Sequence, residues 1–164
     1  MKQGGDTGLL GIYLNDHLAA LIAGRELVKR MHAAAANDDD RAFLTDLASH
    51  LEAGERELER LLRHIGVRRS HLKSWLAWTG EKLGRLKLNG RIKDRSPLSE
   101  LVELEGLATL FEYEYALWRA LHETAPQHAH PADDFLVRAQ QARERRDLCE
   151  RRTQAAANRS LAAR

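Results

Sequence analysis

Four stretches of this chain, similar in length, carry apolar residues three and four positions apart, the pattern of a long helix with one buried face. In the first stretch Leu14, Leu21 and Val28 recur every seven residues. The second and third stretches have the same kind of seam, whereas the fourth has a thin seam rich in Ala. The pattern is broken only by a basic segment, residues 67–95. Two short turns and one long connection predict an all-α four-helix bundle made of two antiparallel hairpins.

The ends of the predicted helices carry local signals. Three acidic residues at 38–40 suit the positive end of the second helix dipole, and Gly66 stops that helix. Ser96 followed by Pro97 is typical of an N-cap and a first-turn proline at the start of the third helix. Because proline disrupts a helix interior, we expect the third helix to end before Pro126.

The fourth helix is expected to begin near Ala132, with Asp133 and Asp134 in its first turn. Its Ala-rich seam indicates either close packing or weak packing against its neighbours. The basic segment contains a shorter amphipathic stretch, so the long connection is predicted to be partly helical. In full, we expect helices over residues 9–36, 38–65, 70–86, 97–123 and 132–158.

The composition fits one domain, residues 1–164, that needs no disulfide. Cys149 is the single cysteine, so no internal disulfide can form, and a reducing compartment such as the cytoplasm is expected. The most apolar stretch, residues 8–22, is interrupted by the polar residues Asn15–His17. We therefore expect neither a membrane span nor a signal peptide.

Three segments carry a resemblance to a known superfamily: Tyr13–Arg30, Gly80–Gly90 and Ser96–Leu107. Through them the chain resembles short bacterial proteins of the ferritin-like superfamily. The resemblance implies a ferritin-like four-helix bundle in which the second and third helices run parallel. It also implies dimerisation.

Active ferritin-like proteins bind two iron or manganese ions through a Glu on each of two helices and a Glu-x-x-His on each of the other two. None of the eight His residues of this chain has a Glu three positions before it, so the standard ligand set is missing. The nearest substitutes pair two Glu at that spacing, at 52–55 and 100–103, which is common on any charged helix. The weak candidates for a metal site are Glu55, Glu112, His17 and His50.

Counting from the helix ends places Arg146, which interrupts the fourth seam, at the level of Glu55 and Glu112. Arg25 flanks the first seam at the same level. A buried Arg requires a paired carboxylate. We therefore expect these four residues to form a core ion-pair layer where relatives hold metal. The alternative is that Arg146 extends from a short seam to the solvent.

Two further seam residues are expected to have structural roles. His17 lies on an apolar row of the first helix and is predicted to be a hydrogen-bonded core residue near Tyr115 and Glu57. Cys149 is predicted to be a buried, unreactive thiol on the fourth helix.

Residues 67–95 contain nine basic and two acidic side chains, a net charge of +7 within a chain of +2. Together with Trp75 and Trp78, these charges suit the phosphates of nucleic acid or anionic lipid headgroups. Packing of the segment on the acidic helices of its own chain is the favoured alternative, and a contact between subunits is another. The candidate anion contacts are Arg85, Lys87, Arg91 and Lys93.

The residues predict a scaffold more strongly than a reaction. The first hypothesis is a non-catalytic bundle with a structural or interaction role, acting without a cofactor and as a homodimer. The second is a metal-binding or oxidoreductase protein that holds iron or manganese in a nonstandard carboxylate site. The third is anion binding by residues 68–95, with nucleic acid or lipid headgroups as the partner.

Overall fold

A computed structural model describes residues 3–69, 97–128 and 134–162. Within these ranges the chain forms four α-helices and contains no strand. The prediction of an all-α four-helix bundle is therefore confirmed, while the helix expected at 70–86 lies outside the described residues. Helix α1 spans Gln3–Ala33, α2 spans Asp38–His64, α3 spans Pro97–His128 and α4 spans Phe135–Leu161.

Contacts between side chains fix the direction of α1 relative to α3. The ring of His17 stacks on that of Tyr113, whereas Gly24 lies against Leu110. Residue numbers therefore rise along α1 as they fall along α3, so the two helices are antiparallel.

The same reasoning applies to α2 and α4. Arg138 forms a salt bridge with Glu57, and Arg152 forms one with Asp39. These helices are also antiparallel.

The directions of α1 and α2 follow from their glycines. Gly24 lies beside Leu51 and Gly54 lies beside Leu21, so these two helices are antiparallel as well. Helices α2 and α3 therefore run parallel, and the two predicted hairpins, α1–α2 and α3–α4, are confirmed. Residues 69 and 97 therefore lie at opposite ends of the bundle.

The ends of α2 are built from its own flanking residues. The Asn37 side chain accepts a hydrogen bond from the Asp40 backbone N–H at 2.8 Å, which caps the helix. At the other end Gly66 has a φ of 69°, in the left-handed region that glycine adopts without strain. The Val67 N–H then bonds the Leu62 carbonyl at 3.0 Å, as in a Schellman motif. The predicted stop at Gly66 is confirmed.

The first hairpin turn is longer than expected, because α1 ends at Ala33 instead of residue 36. Asn37 must leave helical geometry to cap α2, and residues 34–37 form the turn that allows it. At its other end α1 begins at Gln3, before the expected residue 9.

The expected end of α3 before Pro126 is wrong, because the helix continues to His128. Proline removes one backbone N–H and crowds the carbonyl four residues earlier. Pro126 lies in the last turn of α3, so only the end of the regular hydrogen-bond ladder is affected.

The expected start of α4 near Ala132 is also wrong, because the helix begins at Phe135. Asp134 stands just before the helix, and its side chain accepts a hydrogen bond from the Val137 N–H at 3.1 Å. An Asp in this capping position satisfies a backbone donor that has no partner within the helix.

The core lies along the apolar seams of the helices, and the contacts of α4 show whether its Ala-rich seam packs closely or weakly. Helices α3 and α4 make the most extensive helix–helix contact among the described residues. Small seam residues therefore give close packing rather than weak packing. None of the described helices is long and apolar enough to cross a membrane. The buried residues of α4 are the predicted ones: Phe135, Ala139, Ala142, Cys149 and Ala156.

Helices α2 and α4 have complementary charge. Helix α2 carries eight acidic and four basic residues, a net charge of −4, and α4 carries three acidic and seven basic residues, a net charge of +4. Three arginines of α4, spaced seven residues apart, form salt bridges to acids of α2; we call them the arginine ladder. Arg138 reaches Glu57 at 3.3 Å, Arg145 reaches Asp46 at 3.4 Å, and Arg152 reaches Asp39 and Asp40 at 2.6 Å each.

Candidate functional site: a buried carboxylate between helices

The side chain of Glu114, on α3, is buried inside the bundle, and only 1% of the residue is exposed. Its Oε2 lies 2.9 Å from Nε2 of His50 on α2. Its Oε1 accepts a hydrogen bond of 3.0 Å from Nε1 of Trp118. Hydrogen bonds to a charged acceptor are stronger than neutral ones and compensate a carboxylate for lost solvent. We call these three residues the Glu114 cluster.

Helical spacing brings the cluster together. Glu114 and Trp118 are four residues apart on α3, so their side chains share one face. On α2, His50 and Gly54 are also four residues apart. A Cβ at Gly54 would lie 3.2 Å from Glu114 Oε1 and 2.9 Å from Leu21 Cδ1. Glycine at this position therefore leaves room for the carboxylate beside the backbone of α2.

Aromatic contacts extend the cluster to other parts of the core. The Trp118 ring stacks on Phe135 of α4 with centroids 6.0 Å apart, and the Arg138 guanidinium lies 5.3 Å from the Trp118 ring centroid. The His50 ring meets Phe111 edge-on at 5.6 Å. The donors that hold Glu114 are thus themselves fixed by packing.

His17, on α1, is the other polar residue that is buried in the described part of the chain, again with 1% exposed. Its ring stacks on Tyr113 at 3.8 Å and lies 4.4 Å from the ring of Tyr13. Nδ1 is 3.0 Å from the Tyr13 carbonyl, and because a carbonyl only accepts, Nδ1 carries the hydrogen. Nε2 has no hydrogen-bond partner among the described residues.

The environment of His17 disfavours its charged form. Burial lowers the pKa of the imidazole below its ordinary value of 6.5. The Tyr13 carbonyl, Asp16, the Tyr113 carbonyl and Glu114 each raise this pKa, but burial is the largest effect.

The expected neighbours of His17 are wrong: it lies beside Tyr113, not beside Tyr115 and Glu57. Phe111 and Trp118 are both buried, so α3 turns the expected face toward the core, and only the position between these two residues differs. Glu114, rather than Tyr115, occupies the buried position between Phe111 and Trp118. Glu57 instead pairs with arginines.

The residues of the expected ion-pair layer form two separate pairs. On the first hairpin, Arg25 donates to Glu55 at 2.7 Å, and both side chains are mostly buried. Burial raises the pKa of the Glu55 carboxyl, and the hydrogen bond from Arg25 opposes that rise. The hydrogen bond to Glu55 raises the pKa of the Arg25 guanidinium.

The second pair joins Arg146 of α4 to Glu112 of α3. Glu112 is 52% exposed and Arg146 is 23% exposed, so this pair lies at the surface and not in the core. Arg146 also bonds Asp147 of its own helix at 2.7 Å. The long side chain therefore extends outward from a thin seam, and the single core layer expected from Arg146, Arg25, Glu55 and Glu112 is not formed.

The four candidate metal ligands are not brought together. His50 is bonded to Glu114, Glu55 to Arg25 and Glu112 to Arg146, whereas His17 stands between two tyrosine rings. No group of three His, Cys, Asp or Glu side chains within residues 3–69, 97–128 and 134–162 is placed to hold a metal ion. These four residues therefore do not form one shared site in the described part of the chain. The candidate anion contacts Arg85, Lys87, Arg91 and Lys93 lie outside the described residues.

Glu114 is the residue that the sequence prediction missed. It stands three residues after Phe111 and four before Trp118, the spacing of a seam position. Tyr115 shares that region of the helix, and an acidic residue in a seam is disfavoured without a known partner. The partners, His50 and Trp118, become visible only when α2 and α3 are placed side by side.

No family model, curated protein or solved structure matches this chain. The members of the Glu114 cluster are one carboxylate, one imidazole and one indole, and they hydrogen-bond to one another.

Proposed function

We propose that this chain is a non-catalytic, ferritin-like helical bundle with a structural or interaction role. The observation that carries the proposal is the state of the Glu114 carboxylate. Both of its oxygens are engaged by ring nitrogens of its own chain, from His50 and Trp118. A carboxylate held this way is 1% exposed and contributes to the packing of α2 against α3.

The arginine pairs support the same role. Glu55 and Glu112, which were the best acids for a metal site, each bond a guanidinium group. An arginine supplies positive charge to a carboxylate as a cation would, and it does so without an open coordination position. The directions of the four helices support the ferritin-like relationship, because α2 and α3 run parallel and are linked between opposite ends of the bundle.

A homodimer is the form that we propose for this bundle. Two apolar side chains in the N-terminal part of α1 are exposed: Leu9 at 71% and Ile12 at 61%. Their exposure supports an interaction role for this surface. Replacing Ile12 with Asp should shift the protein from dimer to monomer in light scattering coupled to gel filtration. The control is Ile22→Val, a conservative change in the core. A monomeric wild type at all accessible concentrations would contradict the dimer.

We propose a cytoplasmic location for the bundle. Its one cysteine, Cys149, is free and buried, so folding needs no oxidising compartment.

Metal analysis of the purified protein tests the main proposal. Protein prepared without chelator and incubated with iron, manganese or zinc should retain less than one ion per chain after gel filtration. It should show no ferroxidase or peroxidase turnover. Glu55→Gln and Glu112→Gln should leave the residual metal unchanged. Stoichiometric metal that is lost in either variant, together with turnover, would overturn the proposal in favour of a metal-binding or oxidoreductase protein.

Anion binding is the second candidate, and one feature of the described chain favours it. Arg63, Arg68 and Arg69 are exposed at the end of α2, where the basic segment begins. Fluorescence anisotropy with a labelled single-stranded oligonucleotide, and flotation with phosphatidylserine vesicles, distinguish the two kinds of anion. Binding that weakens steeply with added salt would support this function. Equal affinity after Arg68→Ala and Arg69→Ala together would remove the support that these residues give.

A further inference from the structure

A buried imidazole without a complete set of partners is unusual, because buried polar groups normally form hydrogen bonds. Since Nδ1 of His17 donates to the Tyr13 carbonyl, Nε2 of the neutral ring carries a lone pair. A proton taken up by His17 must therefore add at Nε2. That proton would place a donor and a full charge at Nε2, which makes no hydrogen bond among the described residues. The Tyr113 carbonyl and Glu114 favour the charge, but burial of the ring opposes it more strongly.

The groups around this ring belong to two helices. From α1 come Asp16, which is exposed, and the ring and carbonyl of Tyr13. From α3 come the ring and carbonyl of Tyr113 and the carboxylate of Glu114. From α2 comes His50, which is connected to these groups through its hydrogen bond with Glu114.

Among these groups Glu114 is the buried carboxylate. Its Oε1 already accepts a hydrogen bond from Trp118, and its Oε2 lies beside Nε2 of His50. A charged His17 therefore has two options. It remains only partly compensated by backbone carbonyls and Asp16 in a packed core, or it competes for Glu114 and disturbs the Glu114 cluster. Either option weakens the contact that His17 makes between α1 and α3.

We propose that His17 forms an acid-sensitive joint in the bundle: protonation of its Nε2 loosens the packing of α1 against α3. The joint does not rest on the proposed structural role, since a metal-binding bundle could contain it equally well. Its consequence is that mild acid exposes part of the core seam between these two helices while the hairpins stay helical.

The direction of the effect follows from the burial of the ring. Burial holds the pKa of folded His17 below the value of 6.5 that an unfolded chain has. Between those two pKa values the unfolded chain binds more protons than the folded chain. The contribution of neutral His17 to stability is therefore complete above about pH 6.5 and is lost as the pH falls toward the folded pKa.

The experiment compares the wild type with His17→Phe, which keeps an aromatic ring against Tyr113 but cannot bind a proton. His32→Gln is the control, because His32 is an exposed histidine in the last turn of the same helix. We expect the Tm of the wild type and of the control to fall by several degrees between pH 7.5 and pH 5.5. The fall should be markedly smaller in His17→Phe. An equal fall in wild type and His17→Phe would overturn the proposal.

Two measurements on the wild type keep the test independent of how well His17→Phe folds. The NMR titration of the His17 ring should have its midpoint below pH 6.5, and a midpoint at or above 6.5 overturns the proposal. Hydrogen exchange, corrected for intrinsic rates, should show reduced protection in α1 and α3 at pH 5.5, with α2 and α4 less affected. Uniform loss across all four helices overturns the local joint. Acid sensitivity that persists in His17→Phe but disappears in His50→Gln assigns the titration to His50 and also overturns it.

Discussion

Replacing Glu114 with Leu removes the one carboxylate that two ring nitrogens share. The indole of Trp118 is a donor only, so its buried Nε1–H is left without an acceptor in this variant. An unsatisfied buried donor costs about 1–3 kcal/mol, and the lost hydrogen bonds to a charged group were worth about 1.5–3 kcal/mol each. Relief from burying a carboxylate offsets part of this loss. We expect a net destabilisation of about 2–4 kcal/mol.

Glu112→Leu is a matched control, because it makes the same substitution two residues earlier on the same helix. Glu112 is 52% exposed, and its salt bridge to Arg146 should contribute about 0–1 kcal/mol. In a chain of this size 1 kcal/mol changes the Tm by about 2–4 °C. Thermal unfolding should therefore show a drop of roughly 4–16 °C for Glu114→Leu and at most about 4 °C for the control.

A further variant separates unsatisfied donors from disturbed packing. Combining Glu114→Leu with Trp118→Phe removes the unsatisfied indole donor, so the double variant should lose less stability than the sum of the two single changes. Strict additivity would refute the reasoning from hydrogen bonds. So would equal losses in Glu114→Leu and Glu112→Leu.

Three other substitutions and one chemical modification have defined outcomes. Gly106 is an exposed helical glycine, and a Cβ added there would lie 4.0 Å from its nearest neighbour, Cδ2 of Leu27. Gly106→Ala should therefore stabilise the protein by up to about 1 kcal/mol in urea unfolding. Gly54→Ala should be less stable than Gly106→Ala by about 1–3 kcal/mol, since its Cβ would meet a buried leucine at 2.9 Å; equal effects would show that the site is not tightly packed. Arg146→Ala should cost about 1 kcal/mol or less in thermal unfolding, and a loss above about 3 kcal/mol would indicate a buried ion pair instead. Burial raises the pKa of the Cys149 thiol to about 12, so a thiol reagent at pH 8 should label it only after unfolding; rapid labelling of the native protein would contradict that burial.

The helices and their buried faces could be predicted because they depend on local spacing. Leu44, Leu51 and Leu58 are buried as their seven-residue repeat indicates. Gly66 ends α2 because a left-handed residue is needed there, which is a property of the local backbone. Pro126 shows the limit of local signals, since proline near the end of a helix disturbs few backbone hydrogen bonds.

The candidate site could be predicted only in part, because its contacts join distant segments. Arg25 and Glu55 were placed at one level by counting, and they do form a pair. Glu114 could not be recognised, because positions 114 and 115 both fall at seam spacing between Phe111 and Trp118, and an acidic residue is the less expected of the two in a core. Which of them is buried depends on the packing of the whole helix interface and not on the sequence around it.

The arginine ladder limits how the two hairpins can slide along each other. Successive ladder arginines are about 10.5 Å apart along α4, since seven residues of helix rise that far. A slip of α4 by one helical turn would move Arg138, Arg145 and Arg152 about 5.4 Å away from their acids on α2. A slip by a full heptad would instead place another ladder arginine beside two of the three acidic sites. The ladder thus disfavours alignments displaced by one turn, which the small, interchangeable alanines of the α4 seam could not distinguish on their own.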